Sequence, residues 1–250
     1  MNQTDNPFFL TGKMILVTGA SSGIGRAAAI MCSKMGAKVI VTGRNEERLQ
    51  ETLRELDGDG HLSILADLTD ADSRKSLVEQ IPALDGIVHC AGIGHRQLAK
   101  SVTIQEVNSI MNVNFSSAVM LQAELIAGKK VNKRASIVFL SSRAADIPAI
   151  ANSLYSASKA ALQSYAKCLA LELAPRLIRV NCICPAMVWT PFIQSGLYAD
   201  VELSEEEKKY PLKRYGQPED VANLAVFLLS DASSWMTGSC IDITGGSIQS

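Results

Sequence analysis

The chain has 250 residues, 47% of them hydrophobic, enough for one sizeable core. Its 24 basic and 25 acidic residues give a formal net charge of -1, which excludes the footprint of a general nucleic-acid or membrane-surface binder. Six cysteines without a Cys-x-x-Cys pair and three scattered histidines exclude the usual zinc spacings, and no apolar run approaches a membrane span.

Short Val/Ile-rich runs alternate with helical patterns along most of the chain. Residues 14–18, 38–42, 62–66 and 86–90 read as strands, and helices are predicted over 26–35, 46–56 and 70–81. Thr103-Ile-Gln-Glu106 is a capping-box signature opening one long helix to residue 127. A fifth strand is expected over 136–140, a helix over 153–173 and a sixth strand over 179–184. Pro218 then starts a helix ending near 229, and 239–243 is the last strand. This order predicts a single α/β domain, a doubly wound parallel sheet with helices on both faces. The long interruption at 186–211, with Trp189, Phe192, Leu197 and Tyr198, reads as an apolar lid. The cysteines are expected to act as small buried hydrophobes in a reducing compartment, and the start lacks a secretory pattern, which together predict a cytoplasmic protein.

The first strand runs into Thr18-Gly19-Ala20-Ser21-Ser22-Gly23-Ile24-Gly25, and a helix follows. Glycines permit a tight turn and close approach of main chain to a ligand. The helix start offers unpaired amides to a phosphate. At the end of the second strand, where a carboxylate would bond the 2′-hydroxyl of NAD(H), the chain has Arg44 and no acid until Glu46. Arg44 suits the 2′-phosphate of NADP(H), so NADP(H) is expected over NAD(H); the alternative is a solvated charge. Asp67, followed by Leu68 after the third strand, can reach an adenine amine or cap the next helix.

Tyr155 and Lys159 lie four residues apart in a helical pattern, hence on one face. A neighbouring ammonium favours a phenolate and tunes the phenol toward general acid/base work.

Taken in order, these motifs resemble the short-chain dehydrogenase/reductase family. The likeness covers nearly the whole chain. Beyond the glycine turn and the Tyr155–Lys159 pair, it rests on Ala91-Gly92, Asn114, Ser142, Pro185, Gly216-Gln-Pro-Glu-Asp220 and Asp242-Ile-Thr-Gly-Gly246. The resemblance implies a Rossmann-like, seven-stranded sheet that binds a nicotinamide cofactor. It also implies a tetrad of Asn114, Ser142, Tyr155 and Lys159. In that scheme Tyr155 gives a proton to a carbonyl oxygen, Ser142 orients the oxygen, Lys159 lowers the Tyr155 pKa and bonds the ribose, and Asn114 interrupts its helix locally and holds a water that links Lys159 to solvent. Pro185, Val188 and Thr190 fall where the family contacts nicotinamide carboxamide and phosphate. Two departures stand out: His89-Cys90 replaces Asn-Asn before Ala91-Gly92, and Ala186 replaces the glycine after Pro185.

Within the family the chain is most similar to the 3-oxoacyl-(acyl carrier protein) reductase branch, which implies an NADP-dependent ketone–alcohol oxidoreductase of fatty acid biosynthesis. Lys133 and Arg176, with Lys129, Lys130 and Arg134 nearby, match positions that dock the acidic carrier protein; the other reading is offset of helix dipoles. Alternatives are a sugar, sterol or other alcohol dehydrogenase, or a silent dinucleotide-binding sensor. The family also implies a homotetramer, paired through helices 103–127 and 153–173. No metal, nucleic acid or membrane partner is expected.

Overall fold

Seven parallel strands form one sheet in the order β3-β2-β1-β4-β5-β6-β7. They are β1 (Met14–Thr18), β2 (Lys38–Gly43), β3 (Leu62–Leu65), β4 (Leu84–His89), β5 (Val131–Leu140), β6 (Arg179–Pro185) and β7 (Cys240–Ile243). The computed structural model describes residues 6–195 and 202–247. Between the strands run α1 (Gly23–Lys34), α2 (Glu46–Arg54), α3 (Ala71–Gln80), α4 (Ile104–Met111), α5 (Ser117–Ala127), α6 (Ser153–Leu173), α7 (Pro191–Gln194), α8 (Leu203–Glu207) and α9 (Pro218–Leu229).

The near-continuous apolar character of the inner strands follows from burial on both faces. Leu16, Ile40, Ile87, Ile137 and Phe139 point to one side and pack against Leu121, Leu125 and Leu162 of α5 and α6. Their neighbours Ile15, Val17, Val39, Val88 and Val138 point to the other, against Ala28 and Cys32 of α1 and Ala222 and Ala225 of α9. Each fully buried branched side chain of this kind contributes about 1.5–3 kcal/mol of transfer free energy. The strand order reverses between β1 and β4, so their carboxyl ends diverge into a crevice.

Two features differ from the sequence reading, and one that the resemblance implied is present. The helix over 103–127 opens with its capping box at Thr103 and Glu106 and is interrupted around Asn114, where it widens into a π-helical turn at Asn112–Ser116. Helix α1 starts at Gly23 rather than 26, so Gly23 and Gly25 belong to its first turn. Strand β5 starts five residues early, at Val131, because the polar Asn132-Lys133-Arg134 segment bulges: Arg134 adopts φ 67° and the register with β4 shifts between Leu84 and Gly86. Among the described residues no helix is long and apolar enough to cross a membrane.

Candidate active site

A cleft of about 970 Å³ opens at the carboxyl ends of the strands. Its floor at one end is the turn between β1 and α1. Gly19 adopts φ 64°, and a Cβ there would lie 2.9 Å from the Ala91 main chain. A Cβ on Gly25 would sit 2.3 Å from the Gly19 carbonyl oxygen. Neither position tolerates a side chain. Ser21, Ser22, Gly23 and Ile24 complete the turn and line the cleft with Gly19 and Gly25. Ser22 is the N-cap of α1 and makes no side-chain cap bond, which leaves the first-turn amides of α1 for an anion. Thr18 is buried beneath; its Oγ1 accepts from the amides of Cys90 (3.1 Å) and Ala91 (3.2 Å), so it ties the turn to the next loop instead of facing the cleft.

At the outer end, exposed Arg44 and Arg48 flank the cleft mouth. Asp67 also lines it; Leu68, beside it, is nearly buried and lends its carbonyl to Arg74 Nη1 at 2.9 Å. The cap alternative for Asp67 is overturned, because Asp70 is the N-cap of α3 and accepts from Ser73 N at 2.8 Å. Asp67 Oδ1 accepts from Thr69 N (2.9 Å) and Thr69 Oγ1 (2.7 Å), and these bonds, with the Arg44 charge, hold its carboxyl below the usual range.

Tyr155, Lys159 and Ser142 meet at the inner end of the same cleft. The Lys159 ammonium lies 5.8 Å from the Tyr155 ring centroid and donates to the Leu140 carbonyl at 2.8 Å. Only 4% of Lys159 is exposed, and burial pulls its pKa from 10.5 to about 8. Ser142 Oγ accepts from Ala144 N at 3.1 Å, which leaves its own O–H to donate. Its neighbour Ser141 is buried, bonds the Lys159 carbonyl (3.1 Å) and thereby pins α6 to the end of β5.

Asn114, in the π turn, stands behind this surface. It is fully buried, accepts from Ile93 N at 2.7 Å, and donates to Ile93 O (3.0 Å) and Ser158 Oγ (3.1 Å). Gly92 separates it from the lysine: a Cβ there would lie 3.3 Å from Asn114 Oδ1 and 3.4 Å from Lys159 Nζ. The π turn is what aims Asn114 at Ile93 while α5 continues along the sheet.

The departures from the family pattern have local explanations. His89 is buried, stacks on Phe139 (centroids 4.5 Å) and pairs its Nε2 with Gln122 Oε1 at 3.0 Å. Burial lowers its pKa to about 4, so it is a neutral structural residue. Ala186 donates its amide to the Ile243 carbonyl (3.1 Å), keeping the chain after Pro185 in step with β7. Val188 bridges to Gly216, and Thr190 packs its methyl against the position of Gly23. Pro185, Val188 and Thr190 all line the cleft.

Of the expected apolar lid, Phe192 packs on Tyr155 with centroids 5.9 Å apart. Trp189 does not line the cleft; it packs behind the cleft residue Tyr215 and bonds Glu207 Oε1 at 3.2 Å. Leu197 and Tyr198 lie outside the described residues. The sequence reading missed Arg26 and Thr52. Arg26 bonds the Ser21 carbonyl (3.0 Å) and Glu51 (2.9 Å), and Thr52 Oγ1 bonds the Ala20 carbonyl (2.9 Å), so α2 braces the glycine turn. A helical Arg and a helical Thr carry no sequence signal of such a role.

A family model described as enoyl-(acyl carrier protein) reductase matches residues 19–247. A 3-oxoacyl-[acyl-carrier-protein] reductase of Rickettsia felis is 36% identical over 242 residues, covering 95% of this chain and 97% of its own. A solved short chain dehydrogenase/reductase family protein has a TM-score of 0.86 at 31% identity, covering 95% of this chain and 97% of its own. A putative NAD(P) dependent gluconate 5-dehydrogenase from Beutenbergia cavernae, solved with NADP bound at low occupancy, also has a TM-score of 0.86 at 31% identity, covering 96% and 98%. With the sheet order, the glycine turn and the Tyr155–Lys159 pair at the cleft, these likenesses place the chain in the short-chain dehydrogenase/reductase family, NAD(P)-binding oxidoreductases that act on CH–OH groups.

Proposed function

We propose that this protein is an NADP(H)-preferring carbonyl reductase, with 3-oxoacyl thioesters as its favoured substrates. The observation that carries the reaction is the meeting of Tyr155, buried Lys159 and Ser142 on one cleft wall. The cradle formed where Gly19 and Gly25 exclude any Cβ fits a dinucleotide pyrophosphate, with Pro185, Val188 and Thr190 facing it. Arg44 would take the 2′-phosphate, and Asp67 and Leu68 would border the adenine. When bound, the nicotinamide supplies the hydride. The residues supply the rest. Tyr155 gives its proton to the carbonyl oxygen while the Ser142 hydroxyl bonds that oxygen and fixes its position. Lys159 stabilises the phenolate left behind. Asn114 positions the Ile93 main chain and Ser158 behind them, and Gly92 leaves room for the lysine.

We read residues 1–250 as one domain in which 186–211 is the substrate lid. Glu207 fastens it, accepting from Trp189 Nε1 and from Tyr215 N at 3.0 Å. The acyl carrier protein would dock electrostatically. Lys129, Lys133 and Arg134 are exposed for that, whereas Arg176 is bonded to the Val131 carbonyl and Lys130 to the Ile81 carbonyl. The six free cysteines suit a cytoplasmic protein.

A substrate panel run in both directions tests the assignment. Turnover of a 3-oxoacyl thioester with NADPH is expected to exceed that of cyclic ketones, sugars and sterols; NADPH oxidation with those ketones alone removes the acyl reading. In the same assay Arg44→Asp should shift preference toward NADH by about tenfold or more, the loss of a charge-assisted phosphate contact. Unchanged NADPH preference would show that Arg44 is not the selector.

Ile104 and Met120, on α4 and α5, and Leu171, on α6, are exposed apolar side chains and support pairing of these helices between copies. A homotetramer is the expected state by light scattering at micromolar concentration, and a monomer there contradicts it.

A further inference from the structure

Three of the six cysteines converge outside the cleft. Cys182 and Cys184 lie two residues apart on β6, so their side chains share a face. Cys240 opens β7, the edge strand, in direct register with Cys182. All three belong to the α6 side of the sheet. The side chains of Cys182 and Cys184 both act on that of Cys240. Helix α6 adds Gln163, whose Nε2 bonds Cys184 Sγ at 3.4 Å, and Lys167, whose charge acts on Cys240. Asp146 and Asp242 bear on Cys184. Cys182 and Cys184 are fully buried, whereas Cys240 is partly exposed.

We propose that Cys240 is an oxidation site: a peroxide converts it to a sulfenic acid, and Cys182 resolves that acid to a Cys182–Cys240 disulfide across β6 and β7. The inference stands apart from the carbonyl-reductase reading, because no cleft residue reacts, although the Lys159 charge also acts on Cys182. Access selects Cys240 as the nucleophile, since it is partly exposed while Cys182 and Cys184 are fully buried. Its neighbours Cys182 and Cys184, with the Lys167 charge, also lower its pKa, while the Cys240 neighbour and burial raise those of Cys182 and Cys184. The thiolate attacks one peroxide oxygen, the O–O bond breaks, and hydroxide leaves. The Cys182 sulfur then attacks the sulfenic sulfur, the S–O bond breaks, and water leaves. Two thiols lose one electron each and the peroxide gains both. Register chooses the resolving partner. Strands hydrogen-bonded side by side run about 4.8 Å apart, inside the Cα range that a disulfide spans. The diagonal pair with Cys184 is about 7–8 Å apart, beyond it. The bridge would staple the edge strand just before Pro185, where β6 reaches the cleft.

The test treats the full chain with hydrogen peroxide at neutral pH, alkylates the remaining thiols and maps the peptides by mass. Cys168 is the internal control, since it is the more exposed thiol. The expected result is a Cys182–Cys240 cross-linked peptide, lighter by two hydrogens and reversed by dithiothreitol, formed at least roughly tenfold faster than oxidation of Cys168. Cys182→Ser should stop Cys240 at a dimedone-trappable sulfenic acid, and Cys240→Ser should leave Cys182 reduced. Oxidation of Cys168 ahead of Cys240, or peroxide-treated wild-type protein without the cross-link, overturns the proposal whether or not the variants fold.

Discussion

Tyr155→Phe is expected to lower kcat by about 10³-fold while leaving NADP(H) affinity nearly unchanged, the usual scale for loss of a positioned general acid. The substitution removes one oxygen and keeps the ring, so its packing on Phe192 survives. The deleted group is the proton donor of the proposed scheme, and its ring lies 5.8 Å from the buried Lys159 ammonium. Ser142 remains, but an aliphatic hydroxyl is far too weak an acid to replace a phenol. Steady-state kinetics with a 3-oxoacyl thioester and a fluorescence titration of NADPH separate the two effects. Undiminished turnover with intact cofactor binding would remove Tyr155 from the chemistry and favour the sensor alternative.

Lys159→Met is expected to trade activity for stability. A lysine whose folded pKa lies at about 8 instead of 10.5 carries its proton at neutrality against the cost of burial. That difference corresponds to roughly 3 kcal/mol, less about 1 kcal/mol for the lost bond to the Leu140 carbonyl. The sign follows from proton counting. Below pH 8 both folded and unfolded chains hold the proton, and the full cost is present. Between pH 8 and 10.5 the unfolded chain holds it and the folded chain does not, so stability climbs with pH. Above that window the cost is gone. Urea unfolding of the apoprotein should therefore show the methionine variant more stable by about 2 kcal/mol at pH 7, with the gap closing toward pH 10.5. Its kcat should fall by about 10²-fold or more, because nothing then stabilises the phenolate. A variant that is less stable at pH 7, with a gap independent of pH, would show that Lys159 is not held against its charge.

How much of this was legible beforehand depended on the range of the interaction. Inner-strand positions could be read because β1, β2, β4 and β6 are buried on both faces and must be apolar almost throughout. The same holds for the glycine turn, where a missing Cβ is a local steric demand, and for Tyr155 and Lys159, whose common face follows from helical pitch. Other features hid their cause. The π turn depends on Ile93, brought beside Asn114 by the crossing from β4. The early start of β5 depends on a bulge that disguises polar residues as a loop. Trp189 looks like lid material, yet it is held behind Tyr215 by Glu207, which lies on a later helix.

By itself, then, the chain's order of residues determined the alternating αβ layers, the phosphate-type turn and the phenol–ammonium pair, since propensity, periodicity and steric allowance act over a few neighbouring positions. Only the tertiary structure decided that Asn114 sits behind Gly92, that Asp67 turns on Thr69, that Arg26 and Thr52 brace the turn, and that Cys182, Cys184 and Cys240 share one patch. Those contacts join segments far apart along the chain, and their partners are chosen by strand register and helix crossing, which no local pattern encodes.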